Sequence, residues 1–430
     1  MAVPNGASSA GPTVLLLGGR GLHEFAVLRE LGCRIVYLDT EVPLRCIPWV
    51  DLPIDVDMHD RDRVRSVAKQ IHAEQPVAAI LTHTEPHLSL MAYLAEELGL
   101  ADRGLGSAAA GNCRDKWRTR SVLDAAGIPS PRAGMAPTVA GAEELASGLG
   151  FPVIIKPRGG AGGCNVRLCD DLGQVRQAAS AILTEEPGPL SLPGLVVEEF
   201  VPGPEYAVQT LTCGGVTTVL TVFAQRVTEP PIFVELGYDY PPGLSGASLG
   251  ELTELVAAAL TALGVRNWIA HSQVRSGPDG FRIIEVNARR PGGRLVEMTE
   301  VLSGVDMIRA VSELALGRAV TVGAARAEHA AYRSLVFDRA GMLLYEPHPD
   351  LDALARPAPS IVEVEIPPGD PVLPVDDPGG GVYGRIVVFG DSGSTVAHDL
   401  EHIRRAINLQ VLPLDRICPT SDIREFKPCC

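Results

Sequence analysis

Between residues 13 and 98 the chain alternates strand-length apolar runs with stretches whose apolar residues recur at helical spacing, and this alternation limits the fold most tightly. Val14–Leu17 reads as a buried strand running into a glycine turn and a helix over Leu22–Leu31. CRIVYLD is a second strand. Arg61–Glu74 sets Val64, Val67, Ala68 and Ile71 on one helical face, PVAAILT is the next strand, and Leu88–Leu98 is another helix. Strands that alternate with helices in this way pair in parallel, so the expected fold class is α/β, with a sheet covered by helices on both faces.

The first turn carries part of a dinucleotide fingerprint, with Gly19 and Gly21 after a strand and Asp39 about 20 positions on. The third glycine is replaced by Glu24, whose side chain would push the helix away from the strand. A nicotinamide site is therefore not expected.

The chain of 430 residues implies about three units, at roughly 100–200 residues per domain. Residues 1–12 are small and polar and are expected to be disordered. After the first region, Arg114–Ala126 reads as a helix stopped by Gly127. From Phe151 the order is strand, glycine loop, strand, helix, strand (FPVIIKP, RGGAGG, CNVRLC, Leu172–Leu183, LVVEEF), a small lid-like unit. Strands are then expected around Tyr206–Leu211, Thr217–Phe223, Ile269–Arg275 and Phe281–Val286, with a helix over Glu251–Leu263. Beyond Arg318, Pro/Gly-rich breaks and short alternating runs predict a mostly β extension with one helix near Asp399–Ile407. The boundaries read from these changes are 13–112, 113–204, 205–317 and 318–430.

A net charge of −15 argues against a nucleic-acid partner, which is held largely by Lys and Arg. No run approaches the roughly 18 apolar residues that span a bilayer, and MAVPNGASSAG lacks a basic signal-peptide start. A cytoplasmic protein without a membrane partner is expected, and a homodimer is left open. Nine cysteines without a CxxC pair or zinc spacing read as reduced thiols, and the terminal Cys429 and Cys430 form no prenylation signal. His83 and His87 have the spacing of a metal-binding helix pair, but Pro86 breaks that helix, so zinc is not expected.

Chemistry is concentrated in two segments. Lys156 ends a hydrophobic strand just before a loop in which Gly159, Gly160, Gly162 and Gly163 let backbone N–H groups approach an anion, an arrangement that suits a phosphate. In FRIIEVNARR the strand period of two puts Glu285, Asn287 and Arg289 on one face. A carboxylate beside an amide oxygen is a hard donor set suited to phosphate-bound magnesium, and a neighbouring guanidinium can stabilise charge on a transferring phosphoryl group. His271 lies two residues before Gln273 on one strand face, which makes it a candidate substrate-binding residue. Gly292, Gly293 and Arg294 follow the metal strand and can form a carboxylate site.

Taken in order, Lys116, Lys156 with its loop, Glu198–Val201 with Glu205, and Glu285-x-Asn287-x-Arg289 resemble the ATP-grasp superfamily over residues 13 to about 317. The phrases LTHTEPHLSLMAYLAEELGL, NCRDKWRTRSVLDAAGIPSP and EVNARRPGGRLVEMTEVLSGVD are similar to its amino-acid and peptide ligases. The resemblance implies a Rossmann-like N-terminal domain, a small α/β lid, a central α+β domain and a β-rich extension. It implies ATP as substrate with one or two Mg²⁺ ions, for which Mn²⁺ can substitute. Lys116 and Lys156 would reach the phosphates. Glu198 with the adjacent Glu199 backbone would face the adenine amino group, the Val201 N–H its ring nitrogen, and Glu205 the ribose.

Glu85 would face the substrate cleft and hold an ammonium. Gln273 stands where a second metal carboxylate is usual, which leaves the metal count open. The implied activity joins an amino acid or short peptide carboxylate to an amine through an acyl phosphate, releasing ADP and phosphate. Two alternatives remain: a ligase of nucleotide or bicarbonate metabolism, and a non-catalytic module that binds ATP and a ligand.

Overall fold

The computed structural model describes residues 11–19, 21–160, 163–185, 188, 192–346, 360–377 and 380–413. Gly162, Cys429, Cys430 and most of the N-terminal segment expected to be disordered lie outside them. The chain forms two compact units, Met1–Thr221 with Ser245–Ala325, and Val222–Leu244 with Arg326–Cys430.

The first unit begins with four parallel strands, β1 (Thr13–Leu17), β2 (Arg34–Asp39), β3 (Leu52–Asp55) and β4 (Val77–Leu81), ordered β3-β2-β1-β4. All five residues of β1 are buried, as a central parallel strand requires. Helix α1 (Leu22–Glu30) joins β1 to β2, α2 (Arg61–Glu74) joins β3 to β4, and α3 (Leu88–Glu97) follows β4. The α2 helix starts where the Asp60 side chain accepts from the Arg63 N–H, and it buries Val64, Ala68 and Ile71. The α/β fold expected from the alternation is present.

Helices α4 (Ser107–Arg114) and α5 (Lys116–Ala125) lead to the lid. Its strands β5 (Ala133–Ala136), β6 (Val153–Pro157), β7 (Arg167–Cys169) and β8 (Leu195–Glu199) run in the order β5-β8-β6-β7. They are backed by α6 (Val139–Leu149) and α7 (Leu172–Thr184) over a small core of Val153, Ile155, Val175, Leu195 and Val197. The β5 strand and α6 helix extend the lid N-terminally beyond the pattern read from Phe151.

Strands β9 (Glu205–Cys213), β12 (Trp268–Gly277) and β13 (Gly280–Asn287) form the floor of the site, in the antiparallel order β13-β12-β9. Helix α8 (Gly246–Leu263) ends at Gly264 in the left-handed region and buries Leu252, Val256, Ala259, Leu260 and Leu263. It reaches the length and apolar composition of a membrane span, which the sequence reading did not anticipate, but its apolar stripe packs on β13 and on α4 and α5. Helices α9 (Leu295–Ser303) and α10 (Met307–Ala315) complete the unit. β10 (Val216–Val227) begins in this unit and ends in the next.

In the second unit, the end of β10 pairs with β11 (Glu235–Tyr240), followed by β14 (His329–Ser334), then β16 (Gly384–Gly390) and β15 (Ser360–Val364). Helix α11 (Gly393–Ile407) lays Val396, Ile403 and Ile407 on Ile386 and Val388. The one helix expected near 399–407 is thus longer by six residues at its start. Residues 222–244, which the sequence reading placed in the 205–317 region, belong by their contacts to this β-rich unit.

Candidate active site

Lys156 ends β6 and is buried, with its Nζ 2.8 Å from Glu198 Oε2 on β8. The same carboxylate takes Arg120 of α5 in two contacts, Nε to Oε1 at 2.8 Å and Nη2 to Oε2 at 3.1 Å. Arg120 also donates to the carbonyls of Ile283 and Ile284 in β13, so it ties helix, lid and floor together. Burial alone would raise the Glu198 carboxyl, but Arg120 and Lys156 outweigh it and hold it below its ordinary value. Burial pulls the Lys156 ammonium down, and Glu198 opposes that pull.

Lys116 stands first in α5, one position after Asp115, whose side chain caps the helix by accepting from the Trp117 and Arg118 N–H groups. Asp115 also grips Arg158 at 2.6 and 2.8 Å, and the Lys116 N–H donates to the Arg158 carbonyl. The start of α5 is thereby pinned to the glycine loop. The Lys116 Nζ reaches the Gly160 carbonyl at 2.9 Å and Glu285 Oε1 at 3.2 Å. Gly160 and Gly163 have φ of 113° and 72°, a region in which a side chain would be strained, while Gly159 is buried at the loop's base.

Across β12 and β13 the register sets Gln273 opposite Glu285 and His271 opposite Asn287. Burial acts to raise the Glu285 carboxyl, but Lys116 and Lys156, followed by Arg289, bring it down to about 2. It is therefore ionised at any ordinary pH. His271 is buried with Nδ1 3.0 Å from the Gln209 amide, and burial lowers it to about 4, so the ring is neutral at pH 7. Glu205 begins β9 and pairs with Arg275 at 2.8 Å, and Arg275 also donates to the Val201 carbonyl at 3.1 Å. Burial raises the Glu205 carboxyl, with Arg275 opposing.

Arg289 donates to Glu85 at 2.9 Å and to the Arg290 carbonyl at 2.9 Å, and it lies 3.5 Å from Asn287 Oδ1. Glu85 follows β4 in a single 3₁₀ turn and is buried, which raises its carboxyl against Arg289 and Lys116. Gly293 has a φ of 59° just before α9, and Arg294 reaches Glu297 one helical turn on.

With the folding pattern and this charge network in place, the sequence profile of the ATP-grasp domain matches residues 149–298, and that of the ATP-grasp N-terminal domain matches residues 28–101. The chain carries an ATP-grasp domain together with an ATP-grasp N-terminal domain.

The family frame extends to solved structures. The L-amino acid ligase from Bacillus licheniformis superposes with a TM-score of 0.77 at 23% identity, covering 94% of this chain and 100% of that one, which establishes the shared fold. Among curated proteins, carnosine synthase 1 of Gallus gallus is 27% identical over 336 residues, covering 71% of this chain and 35% of its own length. A D-alanine–D-alanine ligase of Pseudomonas fluorescens is 30% identical over 231 residues, covering 50% of this chain and 66% of its own length. The chain thus spans about a third of the length of the first of these two relatives and just under two thirds of the second.

Within this ATP-grasp frame, Lys116, Lys156, Gly160, Glu198 and Glu285 are brought together, and Glu85, Arg289 and Asn287 form an adjoining group. Two expectations need correction, those for the Glu198 side chain and for Arg294. Both Glu198 oxygens are committed to Lys156 and Arg120, so an adenine amino group would have to be read mainly by the backbone. The Glu199 side chain points away to Arg132 at 2.6 Å and Arg282 at 3.4 Å, which leaves only its backbone on the nucleotide side. Arg294 is engaged by Glu297 rather than presented as an open carboxylate receptor.

Arg120, Arg275 and the Asp115–Arg158 pair were missed. Only Arg120 carried a signal, standing one helical turn beyond Lys116. Among the described residues no three His, Cys, Asp or Glu side chains cluster, His83 and His87 included. Glu285 with the amides of Asn287 and Gln273 is still a donor set that fits magnesium carried in on phosphates.

Proposed function

We propose that this chain is an ATP- and magnesium-dependent carboxylate–amine ligase acting on amino acids or short peptides, working through an acyl phosphate and releasing ADP and phosphate. One observation carries the reading. The ionised Glu285 faces Gln273 across the strand pair and is held by Lys116, which also holds the glycine loop, while Arg289 stands two residues on, paired with Glu85.

Lys116 would exchange Glu285 for phosphate oxygens, which frees that carboxylate as a metal ligand together with Asn287 and Gln273. Magnesium, when bound, neutralises phosphate charge and helps align the terminal phosphoryl group. Arg289 stabilises charge on that group as the substrate carboxylate attacks phosphorus and ADP departs. The amine then attacks the acyl carbon and phosphate leaves. Glu85 orients the incoming ammonium, whose proton leaves with the released phosphate.

Similarity to carnosine synthase and D-alanine–D-alanine ligase supports amino-acid substrates. The test is phosphate release from ATP across amino-acid and dipeptide pairs, with bicarbonate and ribonucleotide amines as comparators. Turnover confined to the comparators would overturn the substrate class. Absence of turnover with every pair would favour a binding module.

A further inference from the structure

The glycine turn that ends β1 is filled from within. Its peptide groups are engaged by Tyr37, whose Oη accepts from the Gly19 N–H at 2.9 Å and lies 2.7 Å from both the Gly19 carbonyl and Asp39. The Glu24 carboxylate folds back over the turn from the first turn of α1. Its Oε2 lies 2.7 Å from where a side chain on Gly19 would begin, and its Oε1 lies 3.5 Å from the matching point on Gly21. Glu24 is 2% exposed.

A parallel strand, a glycine turn and a helix N-terminus form a natural anion cradle, because unpaired N–H groups and the helix dipole favour negative charge there. Glu24 does not serve as an ordinary cap. Its partner is Arg290, whose Nε lies 3.0 Å from Oε1. His83, at the end of β4, is 3% exposed and feels the same guanidinium, and both of its ring nitrogens lack hydrogen-bond partners. An ion pair folded over the turn, with a nearby buried histidine whose two ring nitrogens are bare, marks a place suited to a polar occupant. Arg290 adjoins Arg289, and Glu85 follows β4, so the cradle lies beside the groups assigned to the substrate.

We propose that Glu24 is a specificity-determining residue: its carboxylate occupies the anion cradle opposite Arg290 and so restricts the cleft to substrates that bring no phosphate to that point. The assignment of the neighbouring cleft to an amine or carboxylate substrate rests on the ligase reading, whereas the filled cradle does not. Burial pushes the Glu24 carboxyl up to about 7 against the pull of Arg290, so the carboxylate is mostly ionised at pH 8.

The test is calorimetric titration with inorganic phosphate at pH 8, without nucleotide, on the native chain, Glu24→Ala, Glu24→Gln and Glu24→Ala/Arg290→Ala. Glu24→Ala should bind phosphate about tenfold or more tighter than native, the scale of one charge-assisted contact, and removing Arg290 should abolish the gain. Glu24→Gln preserves the side chain's volume and should show a smaller gain in the same direction, so it decides the matter if the alanine variant does not fold. If the chain ligates serine, the native protein should reject O-phosphoserine and Glu24→Ala should narrow that preference. Unchanged phosphate affinity in the folded variants, or a gain that survives removal of Arg290, would overturn the proposal whether or not the chain proves to be a ligase.

Discussion

The nucleotide side of the cleft and the end of the N-terminal sheet are both dense in buried charge, yet they satisfy it differently. On the nucleotide side each buried carboxylate has a cation within 3.2 Å: Glu198 with Lys156 and Arg120, Glu205 with Arg275, and Glu285 with Lys116. At the sheet end, Glu24 is likewise ion-paired, with Arg290 at 3.0 Å, but the buried His83 leaves both ring nitrogens without hydrogen bonds. A buried network with every charge paired sets side chains rigidly, while bare polar atoms cost stability and persist where a polar occupant or selectivity repays them. One end therefore reads as machinery preset for phosphates, and the other as the place where substrate choice is made.

Breaking the preset side should have the largest effect on the fold. Glu198→Gln leaves Lys156 and Arg120 buried without a charged partner, and it should cost about 3–5 kcal/mol of stability in urea denaturation. Lys156→Ala should cost less stability, because Arg120 still satisfies Glu198, while removing most ATP turnover. Equal destabilisation by the two variants would mean that the triad is not organised around Glu198.

Arg289→Ala should lower turnover by about 10²–10³ with nucleotide affinity less affected, the usual scale for losing one transition-state donor. Measured kcat and nucleotide Kd separate the two effects.

The bare end should reveal itself through pH. His83 and His271 ionise at about 3 and about 4 in the folded protein against about 6.5 unfolded. Between those values the unfolded chain binds more protons, so these groups make stability fall as pH drops from 6.5 towards 4. His83→Gln should flatten that fall in denaturation series at pH 7 and pH 5. Glu24 acts in the opposite sense over part of the range, so the informative quantity is the difference between variant and native.

The smallest effect concerns Gln273. Opposite Glu285, a carboxylate in its place adds charge to the metal donor set, so Gln273→Glu should lower the magnesium concentration that gives half-maximal turnover.

Much of this was legible in the sequence where the physics is local. The parallel sheet followed from apolar runs between helical periods, and the shared face of Glu285, Asn287 and Arg289 followed from the strand period of two. The same period, applied to β8, puts Glu198 and Glu199 on opposite faces, and only Glu198 meets Lys156. The counterions were not legible, because Arg120 finds Glu198 across 78 residues and Arg275 finds Glu205 across 70. No periodicity links positions that far apart. The filling of the glycine turn was half visible: the missing third glycine flagged Glu24, but Arg290, its partner, comes from the far end of the catalytic region.

The most direct test of the central claim follows the oxygen atoms. With the substrate carboxylate carrying heavy oxygen and ATP unlabelled, direct attack on the terminal phosphoryl group predicts ADP formed in step with amide and one heavy oxygen in each released phosphate. AMP with pyrophosphate, or phosphate free of label while amide accumulates, would contradict the acyl-phosphate mechanism and the roles given to Glu285 and Arg289.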